Sequence, residues 1–199
     1  MNFAVFASGR GTNLQAIMGA IQKGRIKARL ALVVSDNPRA YALRRAQKAK
    51  IKSVIVNPKY FLDKRSFDKA LVARLTEEKI DFIVLAGYMR ILSPFFVRRF
   101  QHRILNIHPA LLPFFKGAHA IQDAFECRAK VTGVTVHFVD QKIDHGPIIL
   151  QESLPINPKD SLASLEKKIH ALEHRIYPKA IDLFARGRLK ISGRKVRIV

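Results

Sequence analysis

Two rhythms of apolar and polar positions run along the first half of the chain, and they predict its elements. Residues 3–7 (Phe-Ala-Val-Phe-Ala) are a short continuous apolar run, as a strand buried on both faces requires. Residues 13–21 instead place Leu14, Ile17, Met18 and Ile21 on one helical face. Strand-like runs recur at 30–34, 53–56, 82–86 and 104–107, with helical stretches at 40–49 and 63–78 among them. Ser93-Pro94 supplies an N-cap and a first-turn proline for a helix through Arg99. Strands separated by helices predict an α/β fold, a mostly parallel twisted sheet with flanking helices and right-handed crossovers.

The pattern changes after Pro113. Residues 134–139 alternate, with Val134, Val136 and Phe138 opposite Thr135, His137 and Val139. A second strand at 148–154 follows the segment 140–147, so the pair predicts an antiparallel hairpin with a long connection in the C-terminal half. Asp160 or Ser161 then caps a long helix whose Leu162, Leu165, Ile169, Leu172 and Ile176 form a stripe, and Pro178 is expected to kink or end it. No repeat or low-complexity linker divides the chain. The expectation is one domain over 1–199, with sub-regions at 1–110 and 111–199.

Composition narrows the class. At 199 residues, 48% hydrophobic and 9% aromatic, the chain can bury a proper core. Its densest apolar run, 82–86, is far short of the ~20 residues a membrane-spanning helix needs. Met1-Asn2-Phe3 has no basic leader, which argues against a secretory signal and for a cytoplasmic protein. Cys127 is the sole cysteine, so neither an internal disulfide nor a cysteine metal cluster can form; it is expected to pack as a small apolar residue. His170 and His174 lie four apart on a helix without a convincing third ligand, and no metal is expected.

Lys and Arg number 36 against 15 Asp and Glu, a net charge of +21. No acid precedes Asp36, and residues 186–199 carry six basic residues and no acid. Elsewhere the basic residues are dispersed, and no run of five or six marks a basic arm. Two readings stand: solvated surface charge, or a surface for polyanions.

Three segments carry candidate chemistry. Ser8-Gly9-Arg10-Gly11-Thr12-Asn13 joins the first strand to the first helix, where glycines let the backbone approach a ligand and the helix N-terminus offers free N–H groups to an anion. Position 14 is Leu14, not the third glycine of a dinucleotide fingerprint, and no Gly-Lys-Ser/Thr follows. A single phosphate and a plain tight turn are the two readings, and Asp36 sits where a ribose-binding acid could lie. Asn106 and His108, two apart on a strand that Pro109 stops, share a face at its carboxyl end. An amide donor beside an imidazole suits acyl transfer, although both could equally satisfy loop backbone. Asp144, in Asp144-His145-Gly146-Pro147, reads first as a structural turn residue; its meeting with His108 cannot be seen in the sequence. Glu173 borders the apolar stripe of the long helix with no Lys or Arg three or four residues away, leaving His170 as its local partner.

Taken together, residues 7–14 (Ala-Ser-Gly-Arg-Gly-Thr-Asn-Leu), 84–93 (Val-Leu-Ala-Gly-Tyr-Met-Arg-Ile-Leu-Ser), 105–113 (Leu-Asn-Ile-His-Pro-Ala-Leu-Leu-Pro), 133–138 (Gly-Val-Thr-Val-His-Phe) and 144–148 (Asp-His-Gly-Pro-Ile) resemble the phosphoribosylglycinamide formyltransferases, the folate-dependent glycinamide ribonucleotide transformylases. The resemblance runs in order from Met1 to about Lys190. It implies a Rossmann-like fold and formyl transfer from 10-formyltetrahydrofolate to glycinamide ribonucleotide without a metal. By that resemblance Asn106 would bond the formyl oxygen and His108 would transfer the proton, with Asp144 raising its pKa. Gly11, Thr12 and Asn13 would hold the substrate phosphate; Glu173, with His170 beside it, would bind the ribose side. Folate would lie between Tyr88, Met89, Arg90, Ile91 and Leu92 and the loop of Asp140, Gln141, Lys142, Ile143 and Asp144, with Asn106 adjoining. A basic contact falls at Lys64, or at its neighbour Arg65. The implied partners are small molecules, not a membrane or a specific nucleic acid, with a homodimer open.

Methionyl-tRNA formyltransferases share the Asn-x-His-Pro and Leu-Leu-Pro segments, and +21 would suit tRNA. They are expected to carry a further RNA-binding domain and a glycine-alanine-rich continuation where this chain reads Phe114-Phe115-Lys116-Gly117. A basic Rossmann-like nucleotide-binding module, the non-enzymatic alternative, leaves Asn106, His108 and Asp144 unexplained.

Overall fold

The computed structural model describes residues 1–199. The strands are β1 (Asn2–Phe6), β2 (Arg29–Ser35), β3 (Ser53–Ile55), β4 (Phe82–Leu85), β5 (Ile104–His108), β6 (Val131–Phe138), β7 (Ile148–Pro155), β8 (Leu189–Ser192) and β9 (Lys195–Ile198). The helices are α1 (Thr12–Gln22), α2 (Tyr41–Lys48), α3 (Lys64–Glu77), α4 (Pro94–Arg99), α5 (Ala120–Glu126) and α6 (Leu162–Ala185). Seven strands form one sheet in the order β3-β2-β1-β4-β5-β6-β7, parallel through β5 and antiparallel across β5-β6-β7. The α/β reading and the C-terminal antiparallel pair are therefore correct.

Strand alternation divides the core between the two faces of the sheet. Phe3 and Val5 of β1, with Phe82 and Val84 of β4, join α1 and α6 in the larger cluster, while Ala4, Phe6, Ile83 and Leu85 join α3 and α4 in the other. The Phe3 and Phe82 rings stack across neighbouring strands with centroids 5.0 Å apart. Each such fully buried Phe contributes about 1.5–3 kcal/mol, which is why these short runs fold without help from propensity.

Strand order reverses between β1 and β4, and this opens a crevice at the carboxyl ends of β1, β4 and β5. Tyr177 of α6, fully buried, ties that region together: its hydroxyl donates to the carbonyls of Leu85 and Leu105 at 2.8 and 3.0 Å.

Several expectations change. Pro178 does not end α6, which runs to Ala185 because Ala180 and Ile181 continue the buried face past the missing N–H. Residues 120–126, short and without a clean apolar period, form α5, which the pattern missed. Cys127 is exposed at the C-cap of α5, where the chain turns away from the core. The basic tail folds as the β8-β9 hairpin, whose Leu189, Ile191 and Val196 pack on the larger core cluster. No helix is long and apolar enough to cross a membrane.

Candidate active site

The β1-α1 loop is shaped by close backbone approach. Gly11 is the N-cap of α1 at φ 69°, and a Cβ there would meet the Ala42 Cβ at 2.8 Å and its Cα at 2.9 Å, so only glycine fits. The Ala7 N–H donates to Val34 O, Ser8 N–H to Gly87 O and Ala42 N–H to Gly9 O, each within 3.1 Å. No side chain caps α1 and no acid stands in its first turn, so its leading N–H groups remain open to an anion. Asp36 is engaged differently from the ribose contact envisaged for it. It accepts from the Ser8 hydroxyl at 2.6 Å, and Ser8 Oγ in turn accepts the Met89 N–H at 2.9 Å, binding the loops after β1, β2 and β4 together.

At one side of that loop Asn13 is buried, and its amide donates to Glu173 Oε2 at 3.1 Å. The same oxygen lies 2.9 Å from His170 Nδ1. The bond from Glu173 raises the His170 pKa against the lowering effect of its partial burial. Glu173 is thus a buried carboxylate held by two neighbours, and Asn13 Oδ1 is buried without a partner.

At the end of β5, Asn106 and His108 share a face as the spacing requires, and Asp144 comes to them from the loop after β6. Asp144 Oδ2 lies 3.4 Å from His108 Nδ1, and the Gly117 N–H donates to it at 2.9 Å. His108 is 3% exposed; its Nε2 donates to the Phe115 carbonyl at 2.7 Å, which fixes a hydrogen on Nε2, because a carbonyl only accepts. Burial holds the His108 pKa below its usual value, although Asp144 raises it as expected. Burial disfavours the imidazolium more than Asp144, the Phe115 bond and Glu173 favour it, and nearby His137 opposes it further. Asp144 is held below the ordinary carboxylate range. Burial alone would raise it, but His137, the Gly117 N–H and His108 together outweigh burial.

His137 is the residue that sequence reasoning missed. It is 2% exposed on β6, directly opposite Asn106 in the antiparallel register. Its Nδ1 donates to Phe138 O at 2.8 Å, leaving Nε2 to accept from the Asn106 amide at 3.2 Å. One amide hydrogen of Asn106 is thereby spent on orientation and the other stays available. Thr135, opposite His108, braces the following turn by donating to Ala110 O at 2.7 Å and accepting the Leu112 N–H at 3.1 Å. Alternation along β6 puts Thr135 and His137 on one face, but only strand register sets them against Asn106 and His108.

The remaining predicted residues are more open. Tyr88 is half-buried against the Phe6 ring, and burial first, then Asp36, raises its phenol pKa. Arg90 lies over the Phe67 ring at 5.1 Å, and Leu92 packs on the smaller core cluster. Met89, Ile91 and Ile143 stand in solvent at 74%, 64% and 54% exposure. In the loop, Asp140 accepts the Lys142 N–H at 2.9 Å, and the Gln141 and Lys142 side chains are exposed. Lys64 and Arg65 are exposed in the first turn of α3, and neither shares a hydrogen bond or ion pair with the residues around His108. No group of three His, Cys, Asp or Glu side chains converges as a metal's ligands would.

Comparison with known proteins agrees with this architecture. Residues 1–181 match the family model described as formyl transferase. The chain is 44% identical over 189 residues to the phosphoribosylglycinamide formyltransferase of Haemophilus influenzae, covering 95% of this chain and 89% of that protein. It is 41% identical over 179 residues to that of Bacillus subtilis, covering 90% and 92%. The crystal structure of glycinamide ribonucleotide transformylase 1 from Symbiobacterium toebii superposes with a TM-score of 0.97 at 47% identity, covering 100% of this chain and 94% of that one.

Proposed function

The chain belongs to the formyl transferase family, and from that premise we propose that it transfers the formyl group of 10-formyltetrahydrofolate to the amine of glycinamide ribonucleotide in purine biosynthesis. The observation that carries the reading is the convergence of Asn106, His108 and Asp144 at the end of β5, in a fold whose α1 N-terminus is open to a phosphate.

When bound, the folate supplies an electrophilic formyl carbon. The free amide hydrogen of Asn106, aimed by His137, donates to the formyl oxygen as that carbon becomes tetrahedral. His108 handles the proton. In the structure its Nε2 donates to Phe115 O. Once that carbonyl withdraws, Asp144 favours the tautomer with hydrogen on Nδ1, and Nε2 becomes a base for the attacking amine. The new carbon–nitrogen bond forms, the bond to the folate nitrogen breaks, and that nitrogen takes up the proton. Burial suits His108 to this task, because a lowered pKa keeps the ring unprotonated at neutral pH.

The α1 N-terminus from Gly11 through Asn13 receives the substrate phosphate, and Glu173 with His170 receives the ribose hydroxyls. Exposed Met89, Ile91 and Ile143 offer apolar cover for a folate ring, with Arg90 and Lys64 as cationic partners for its acidic end. The enzyme works on small molecules in the cytoplasm. The test is formyl transfer by the purified protein to glycinamide ribonucleotide, run beside transfer to charged initiator tRNA. Activity on the ribonucleotide is expected, and activity on tRNA alone overturns the reading.

A further inference from the structure

The loop that carries Asp144 is held by side-chain bonds and not by a helix or a strand ladder. Residues 140–146 form no helix or strand, and Asp144 sits at φ 46°, a left-handed conformation that costs a non-glycine residue roughly 1 kcal/mol. One end is pinned at Gly146, where a Cβ would strike the Phe138 carbonyl. Across the loop, His145 Nδ1 donates to Asp140 Oδ2 at 2.6 Å. A residue from the far end of the chain then meets both the His145 ring and the His145 carbonyl. Arg194 Nη1 lies against the imidazole, 2.8 Å from Nδ1 and 2.9 Å from Nε2, and Arg194 Nη2 donates to His145 O at 2.7 Å.

Arg194 is positioned to do this by a hairpin with no other evident task. Gly193-Arg194 is the two-residue turn between β8 and β9, and Gly193 takes the positive φ of 59° that the first position of such a turn demands. Leu189, Ile191 and Val196 seat the hairpin on the core, so the guanidinium reaches His145 from a fixed base. The planar guanidinium both lies against the imidazole and donates to the carbonyl, which an ammonium cannot match.

We propose that the C-terminal hairpin is a clamp on the 140–146 loop, and that Arg194 is a positioning residue for Asp144, acting through His145. The link to catalysis rests on the formyl-transfer reading; the clamp itself does not. The experiment is therefore amide hydrogen exchange beside steady-state kinetics on the full chain, comparing wild type with Arg194→Ala and Arg194→Lys. In Arg194→Ala, exchange across 140–146 accelerates about tenfold, the worth of one lost charge-assisted bond, while β8 and β9 keep their protection. Because the contact is exposed, the melting temperature stays within about 2 °C of wild type. A loosened loop lowers kcat about tenfold and raises the KM for 10-formyltetrahydrofolate, leaving the KM for glycinamide ribonucleotide unchanged. Arg194→Lys keeps the charge and rescues little. Unchanged exchange in 140–146 overturns the clamp, as does loosening of loop and hairpin together with a fallen melting temperature. Unchanged kinetics beside faster loop exchange overturns the positioning role. A wild-type protein inactive on the ribonucleotide removes the formyl-transfer reading alone, and the exchange data still decide the clamp.

Discussion

The two loops that frame the crevice are built in opposite ways. At the β1-α1 loop the main chain sets the shape: backbone bonds from Ala7, Ser8 and Ala42 hold it and Gly11 is pressed against Ala42 too closely for any side chain, while side chains such as Ser8 on Asp36 tie it to its neighbours. The 140–146 loop is fixed by side chains, through Asp140 to His145, Asp144 to Gly117 and Arg194 to His145. A loop made of backbone contacts presents N–H groups in one rigid arrangement, which suits an anion that is the same in every turnover. A loop made of side-chain contacts can place a carboxylate whose charge must work beside an imidazole, and its geometry depends on each partner.

If that contrast is right, damage to the side-chain-built half appears in turnover and damage to the backbone-built half in binding and stability. The largest effect is expected from His108→Ala, which lowers kcat about 10³-fold by removing the proton-transfer group while the protein stays folded; full activity in a rapid-quench or steady-state assay would break the mechanism.

Asp144→Asn is isosteric and keeps an acceptor for the Gly117 N–H, so it isolates the charge; kcat falls about 10²-fold. The pH profile sharpens the point. In the proposed mechanism His108 is the neutral base, so activity is expected to fall as pH drops through its lowered pKa, placing the acid limb below the usual imidazole value. Asp144 is the largest influence opposing burial, so in Asp144→Asn that limb moves to still lower pH. A limb that moves upward contradicts the assignment.

Gly11→Ala probes the other half. The left-handed backbone and the Ala42 contact together cost about 1–3 kcal/mol in urea unfolding, and the KM for glycinamide ribonucleotide rises while that for folate holds. Equal loss in both KM values would mean that the two loops are not independent. The smallest effect is electrostatic. With +21 overall and no acid before Asp36, kcat/KM for the anionic ribonucleotide falls with added salt while kcat changes little. A flat response would confine the charge to solvation.

Much of this contrast was visible in the residues themselves. Gly9 and Gly11 after a buried strand announced a loop for close approach, and the spacing of Asn106 and His108 put them on one face at a strand end. The clearest failures lay where burial decides the chemistry. The family resemblance, not the residue pattern, pairs Asp144 with His108 and implies a raised pKa; Asp144 does raise it, yet at 3% exposure desolvation prevails. Pro178 fails as a helix terminator for a related reason, since core packing on both sides of it outweighs one missing backbone bond.

What the sequence by itself determined was periodic and local: which segments become strands or helices, which side chains share a face, and where a glycine is needed. Those follow from rules spanning two to four residues, and a linear reading contains them. Only the tertiary structure decided that His137 stands opposite Asn106, that Asp144 meets His108, that Asn13 shares Glu173 with His170, and that Arg194 reaches His145. Each of those meetings except His170 with Glu173 joins residues dozens of positions apart. They are fixed by strand register and by packing on a shared core, whose energies sum over many residues and leave no mark at any one of them.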